Sequence, residues 1–276
     1  MIGEPMTRPV GRPVLANWSA ALRVVDGLWT WYRHNWRATV VSSLLQPLLL
    51  LVAFGVGFGS LIATNARAVQ VTGGVPYLVY LAPALLAVSA VQTAAFESSY
   101  PILSSFKWRR TYEAITATPI TPGQLAAGQL TWIALRLIMS GAAYLLVITV
   151  FGAVHGPGVL AAWLFAVLCG MAFSAPLVAF SAAQELEGGA FTAIFRFVVL
   201  PMTLFSGTFF PISQLPSAVQ PLAWISPLWH GTELARGAAL GTLQLTSTAG
   251  HLGYLGALLV VGVRLSCWQF RVRLTR

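Results

Sequence analysis

Apolar residues run without a charged interruption from position 38 to 62, long enough for a helix to cross the ~30 Å hydrocarbon core of a bilayer, with Pro47 as an expected kink. Similar runs occupy 77–96, 130–154, 159–182, 191–210 and 248–268. Only His155, Gly156 and Pro157 separate the third run from the fourth, so those two are expected to form an antiparallel hairpin. Arg196 and Arg264 stand close enough to the ends of the fifth and sixth runs to snorkel to the interface. The pattern predicts an all-α integral membrane protein of six transmembrane helices. Its single transmembrane domain covers 38–268, between a cytoplasmic N-terminus over 1–37 and a cytoplasmic tail over 269–276.

The stretches between the runs are patterned too. Trp18, Leu22, Val25, Trp29, Tyr32 and Trp36 recur at steps of three and four among Arg23, Asp26, Arg33 and Arg37, the signature of an amphipathic helix. It is expected to lie in the cytoplasmic interface, the alternative being the first turns of a long spanning helix. This N-terminal stretch is polar and basic and lacks a short apolar core with a small-residue cleavage site, so no removable signal peptide is expected. The 98–129 connection is long, and Thr121 followed by Pro122 reads as the N-cap and first residue of a helix. That leaves 109–117 as a short helix outside the membrane, or else an interfacial loop. Over 211–241, Pro211, Pro216, Pro221 and Pro227 alternate with Trp224, Leu228 and Trp229, too apolar for a free loop and too rich in proline for one span. A re-entrant hairpin dipping into the outer leaflet satisfies both constraints.

The composition agrees: 57% of the residues are hydrophobic, only 8% are charged, and mean hydropathy is +0.76. A soluble domain would carry roughly a quarter charged residues, and six crossings leave no room for a sizeable soluble catalytic domain. The net charge of +9 is scattered in small groups without a basic helix bearing stacking aromatics, so nucleic acid is not an expected partner whereas membrane lipids are. With the N-terminus inside, 13 of the 16 basic residues fall on the cytoplasmic side, against Arg67 and Arg236 outside and Arg136 within the third run.

Candidate chemistry is sparse. Lys107 is the only lysine and is followed by Trp108, so a GxxxxGK[ST] phosphate loop cannot form and any nucleotide hydrolysis must occur on another chain. Gly55, Gly57 and Gly59 lie inside the first run with no preceding strand, where close helix packing is the natural role. His230 and Glu233 share an i, i+3 spacing but have no further ligand nearby in sequence, and Cys169 and Cys267 fit no disulfide or metal pattern, so no metal site is expected. Glu185 and Glu187 read as a solvated cytoplasmic turn rather than a catalytic pair. Arg136, about a turn and a half into the third run, must either snorkel inward or face the bundle and pair with Glu97.

The stretch Arg110-Thr111-Tyr112-Glu113-Ala114-Ile115-Thr116-Ala117-Thr118-Pro119, with the outer motif Phe205-Ser206-Gly207-Thr208-Phe209-Phe210-Pro211-Ile212-Ser213-Gln214-Leu215-Pro216 and a later Pro227-Leu228, resembles the ABC-2 type permeases. The resemblance is to the nodulation-lipooligosaccharide and daunorubicin-resistance exporter branch and covers nearly the whole chain in span order. Arg110 departs from it, because family members often have Gly before the Thr. The resemblance implies a six-helix subunit that dimerises with a second copy or a sister permease. It implies two copies of a partner ATP-binding-cassette ATPase holding ATP and Mg, with no cofactor on this chain. It also implies a coupling helix, for which Arg109, Arg110, Tyr112, Glu113, Ile115 and Pro119 are the expected contacts, with Glu185 and Glu187 as a second one. Phe209, Phe210, Pro211, Leu215, Pro216, Trp224 and Pro227 would form a re-entrant gate at the outer end. Substrates across such a family include amphipathic drugs, lipooligosaccharides, glycolipids and polysaccharides. Competing readings are a membrane-embedded transferase or hydrolase, which needs convergent acidic, His or Cys groups, and an ion-coupled secondary transporter, which needs intramembrane carboxylates.

Overall fold

A computed structural model describes residues 17–58, 74–153, 156–185 and 189–275, and every regular element among them is helical. Helix α1, Asn17–Leu50, continues as a π-helical stretch, Leu51–Phe58. The segment expected to lie in the interface and the start of the first span therefore share one unbroken helix, with no boundary at 37/38. Helix α2 (Tyr77–Glu97) is followed by α3 (Tyr100–Lys107) and α4 (Thr111–Thr116), and α5 (Pro122–Val150) returns. The hairpin partner of α5 is α6 (Gly158–Ala183). Then come α7 (Gly189–Phe205), π-helical over Phe195–Val199, the short α8 (Gln220–Ile225), α9 (Pro227–Leu240) and α10 (Leu245–Leu274).

Four helical stretches among the described residues are long and apolar enough to cross a membrane: Tyr77–Lys107, Pro122–Val150, Gly158–Ala183 and Leu245–Leu274. The described part of the chain is thus all-helical, with four helices able to span a membrane. Several ends differ from the sequence expectation. The fifth run stops being helical at Phe205 instead of 210, because Gly207 turns the chain with a φ of 74°. The third starts at Pro122 instead of 130, because Thr121 and Gln124 form a reciprocal capping box, Gln124 N to Thr121 Oγ1 at 3.3 Å and Thr121 N to Gln124 Oε1 at 2.9 Å. The 98–129 connection is accordingly mostly helix.

Helix α6 is the hub, packed against α10, α9, α2 and α5, while α1 lies along α5. Small residues permit the close approaches: a Cβ on Gly170 would stand 3.1 Å from the Ala90 carbonyl oxygen of α2, and one on Gly262 would strike Pro176. Gly55 is pressed against Leu78, whereas Gly59 lies outside the described residues. The packing leaves α2 almost wholly buried within this one chain.

Candidate coupling face and outer hairpin

At the end of the bundle that carries α3 and α4, the break between α2 and α3 falls at Ser98 and Ser99. The Ser98 carbonyl, freed by the break, accepts from Ser181 Oγ at 2.6 Å, and Ser98 Oγ meets Ser174 Oγ at 2.7 Å. Glu97 sits at the same break. Arg136, whose side chain is 3% exposed, donates through Nε to Glu97 Oε1 at 2.9 Å, and its guanidinium lies 4.5 Å from the centre of the Tyr32 ring of α1. The ion pair and the ring contact of Arg136 together join α1, α2 and α5.

Helix α4 lies below this joint. Arg110, just before it, has φ 49° and ψ 27° and is the one described residue other than glycine in the left-handed region. This is the position at which the resemblance expects Gly, and the backbone conformation explains why. Arg110→Gly should raise thermal stability by about 0.5–1 kcal/mol, since the αL cost disappears while some unfolded-chain freedom returns. A melting curve showing a loss of stability instead would mean that the guanidinium makes a compensating contact.

The expected contacts of α4 do not all point outward. Arg109, Arg110 and Glu113 are exposed, together with Trp108; Ile115 and Pro119 are half-buried. Tyr112 is 3% exposed and corrects the expectation that it faces a partner. Its ring packs on Phe106 and Phe270 with centroids 4.7 and 5.4 Å away, and its hydroxyl donates to Gln129 Oε1 at 3.1 Å. Burial pushes that hydroxyl's pKa well above its ordinary value. Tyr112 is the peg that fixes α4 to its own bundle. Beside it, Lys107 Nζ donates to the exposed Glu185's carbonyl oxygen at 3.2 Å, and Arg273 Nη1 donates to the carbonyls of Ala182 and Gln184 at 2.7 and 2.8 Å. Glu187 lies outside the described residues.

The 211–241 segment enters the bundle and turns back. Cys169 Sγ, eleven residues into α6 and so about 16 Å from its start, donates to the Pro227 carbonyl at 3.3 Å, while the other end of α9 brings Ala238 against Gly158, the first residue of α6. Between α7 and α8 the backbone is irregular, yet four successive carbonyls are satisfied by side chains. Thr232 Oγ1 donates to Ser206 at 3.2 Å, Arg236 Nη2 to Gly207 and Thr208 at 2.8 and 3.2 Å, and Tyr77 Oη to Phe209 at 3.0 Å. Arg236 also reaches the Tyr80 carbonyl through Nε at 3.3 Å and Glu233 through Nη1 at 3.3 Å, with the Tyr80 ring 3.9 Å from its guanidinium carbon. It is 7% exposed, so the residue counted as an outer-loop charge is an internal anchor. The Phe209 ring meets Phe54 at 4.7 Å, Leu215 is buried, Pro211 is half-buried, and Phe210, Pro216 and Trp224 are exposed.

The comparisons with known proteins bear on this architecture. The profile of the family described as "ABC-2 type transporter" matches residues 22–240, most of the chain. The chain belongs to the ABC-2 type transporter family. Among similar proteins, Nodulation protein J of Bradyrhizobium diazoefficiens is 32% identical over 256 residues, covering 90% of this chain and 94% of that protein. Nodulation protein J of Sinorhizobium fredii is 31% identical over 223 residues, 77% of this chain and 82% of that one. The Inner membrane transport permease YadH of Escherichia coli K12 is 24% identical over 254 residues, 89% and 93% of the two chains. As an ABC-2 permease the chain is a multi-pass membrane component of a transport system.

Proposed function

We propose that this permease exports an amphipathic, lipid-linked or glycan substrate, or a drug, driven by a separate ATP-binding-cassette ATPase that docks on α4. The observation that carries the reading is the exposed ridge Arg109, Arg110 and Glu113, held rigid by the buried Tyr112 and continuous through α3 with the Glu97–Arg136 joint. With one lysine and no phosphate loop, energy must arrive through protein contact, and transient interfaces combine such charges with apolar neighbours like Trp108. Two ATPase copies, carrying ATP and Mg, and a second permease copy or a sister permease complete the transporter in this reading. Helix α1 and the 17-residue α7 supply the two further crossings that make six, with both termini and α4 cytoplasmic. The 211–241 hairpin is re-entrant and caps the outer end. Since α2 is enclosed by its own bundle, the substrate route is lined by α1 and α7, whose Leu49, Phe197 and Leu200 are 57%, 77% and 57% exposed.

Because Tyr112 belongs to the core, the test is restricted to surface charges. Arg109→Glu with Glu113→Arg should leave the permease folded and lower substrate-stimulated ATP hydrolysis of the reconstituted complex at least tenfold, a loss of about 1.4 kcal/mol of coupling. Unchanged stimulation would move the contact to the Glu185 turn, and failure of any ATPase to co-purify with the wild-type chain would end the exporter reading. Orientation is checked with single cysteines: an impermeant reagent applied to intact cells should label Leu245→Cys and spare Trp108→Cys, and the opposite pattern would invert the topology.

A further inference from the structure

His230 of α9 and His251 of α10 face each other with Nδ1···Nδ1 at 2.8 Å, and the other nitrogen of His230, Nε2, lies 2.9 Å from the Trp224 carbonyl oxygen of α8. A carbonyl can only accept, so His230 Nε2 carries a hydrogen. In the neutral ring its Nδ1 is then an acceptor, and His251 Nδ1 must be the donor. His251 Nε2 is left as the basic site of the pair. A proton added there turns the neutral bond into a charge-assisted one without rearranging it, whereas a second proton would have to enter His230 Nδ1 and set N–H against N–H.

The surroundings make this contact the tie between the outer hairpin and the last long helix. The Tyr254 ring stacks on His230 with centroids 4.0 Å apart, and its hydroxyl donates to the Ile225 carbonyl of α8. Trp229 packs edge-on against both imidazoles, at 4.7 and 5.0 Å. The charged and titratable groups around the pair are Glu233 and Arg236 on α9, Tyr254 on α10, Cys169 on α6, and Tyr77 and Tyr80 on α2; α8 has none. Glu233, 40% exposed and three residues from His230 on α9, supplies a negative charge to balance one proton.

We propose that His230 and His251 form a proton-operated latch that closes the outer hairpin onto α10, tightened by one proton and released by two. The latch rests on the outer-cap reading of the hairpin and makes that cap responsive to external acidity. In nanodiscs holding the full-length permease with Cys267→Ala, the labelling rate of Leu222→Cys on α8 is compared with that of Leu245→Cys, a reference 87% exposed at the start of α10. The ratio should fall about fivefold between pH 8 and pH 5, as expected for converting a neutral into a charge-assisted hydrogen bond, rise again as the pH falls further, and become flat with pH in His251→Phe. A flat ratio in the parent, or an unchanged pH response in His251→Phe, would overturn the latch. Failure of an impermeant reagent to reach either cysteine from outside intact cells would instead defeat the outer-cap reading. As a check independent of any variant, imidazole nitrogen resonances of the four histidines should show one Nε2–H and one Nδ1–H tautomer for the pair at pH 8; two identical tautomers would also overturn it.

Discussion

Glu97→Ala should destabilise the permease by about 3–5 kcal/mol, because it leaves the Arg136 guanidinium buried without its anion. Arg136 is buried at 3% exposure, and its other contact among the described residues, the Tyr32 ring, is a cation–π contact that cannot replace the anion. The opposite deletion, Arg136→Leu, should cost less, since Glu97 is 13% exposed and sits at a helix end, where a carboxylate is more easily hydrated than the buried guanidinium. Glu97→Ala combined with Arg136→Leu should recover most of the loss, because an apolar replacement of a buried pair is often nearly neutral. Denaturation of the four proteins in one detergent gives the cycle. If the double variant were as unstable as Glu97→Ala alone, the cost would lie in the packing of α2 on α5 and not in the uncompensated charge. A stable double variant that fails to transport would show that the joint carries motion from α4 to the spans.

What could be read from sequence followed the strength of the hydrophobic signal. The long apolar runs of α5, α6 and α10 stand out because a bilayer demands continuous apolar helix. Their ends were less legible: Gln124 and Gln129 look like loop residues, yet both are buried in helix, one by capping and one by the Tyr112 hydroxyl. Glu97 could be paired with Arg136 on paper because a charge inside a span has few partners within reach, and Thr121-Pro122 announced its helix start by local chemistry alone. Tyr112 misled because an aromatic among charges reads as an interface residue, and nothing local says that Phe270, far along the chain, comes back to cover it. The contact of His230 with His251 likewise joins two helices whose register is a tertiary fact, and no spacing rule signals it. The left-handed backbone at Arg110 left a trace, the arginine standing where the family pattern favours glycine.

The second large effect is expected at Arg236. Arg236→Leu should cost about 3–5 kcal/mol and expose the outer hairpin to thiol reagents. Apolar residues flank 206–209, but its backbone leaves the helix, and irregular backbone at membrane depth persists only where its polar groups are satisfied by protein. The guanidinium does this for two consecutive carbonyls, Gly207 and Thr208, while a third bond ties it to the Tyr80 carbonyl of α2. Gly207 makes the arrangement possible: at φ 74° its carbonyl aims at Arg236, and a Cβ there would press on Ile212 and Trp229 at 3.3 and 3.5 Å. Lysine cannot replace the fork, since one ammonium does not reproduce the separate Nε and Nη2 donors that reach the Tyr80 carbonyl and the Gly207 and Thr208 carbonyls together, so Arg236→Lys should recover only a minor part of the loss. Glu233→Gln should be mild, below about 1 kcal/mol, because that carboxylate is 40% exposed and its pairing is screened. Tyr77→Phe should fall between, at about 1–2 kcal/mol, by orphaning the Phe209 carbonyl alone. Thermal stability rising in the order Arg236→Leu, Tyr77→Phe, Glu233→Gln, with Leu222→Cys labelling falling in the same order, is the pattern expected of carbonyl satisfaction. A reversal in which Glu233→Gln is worst would mean that Arg236 is held chiefly by its anion and that water, entering from the outer face, already serves the 206–209 backbone.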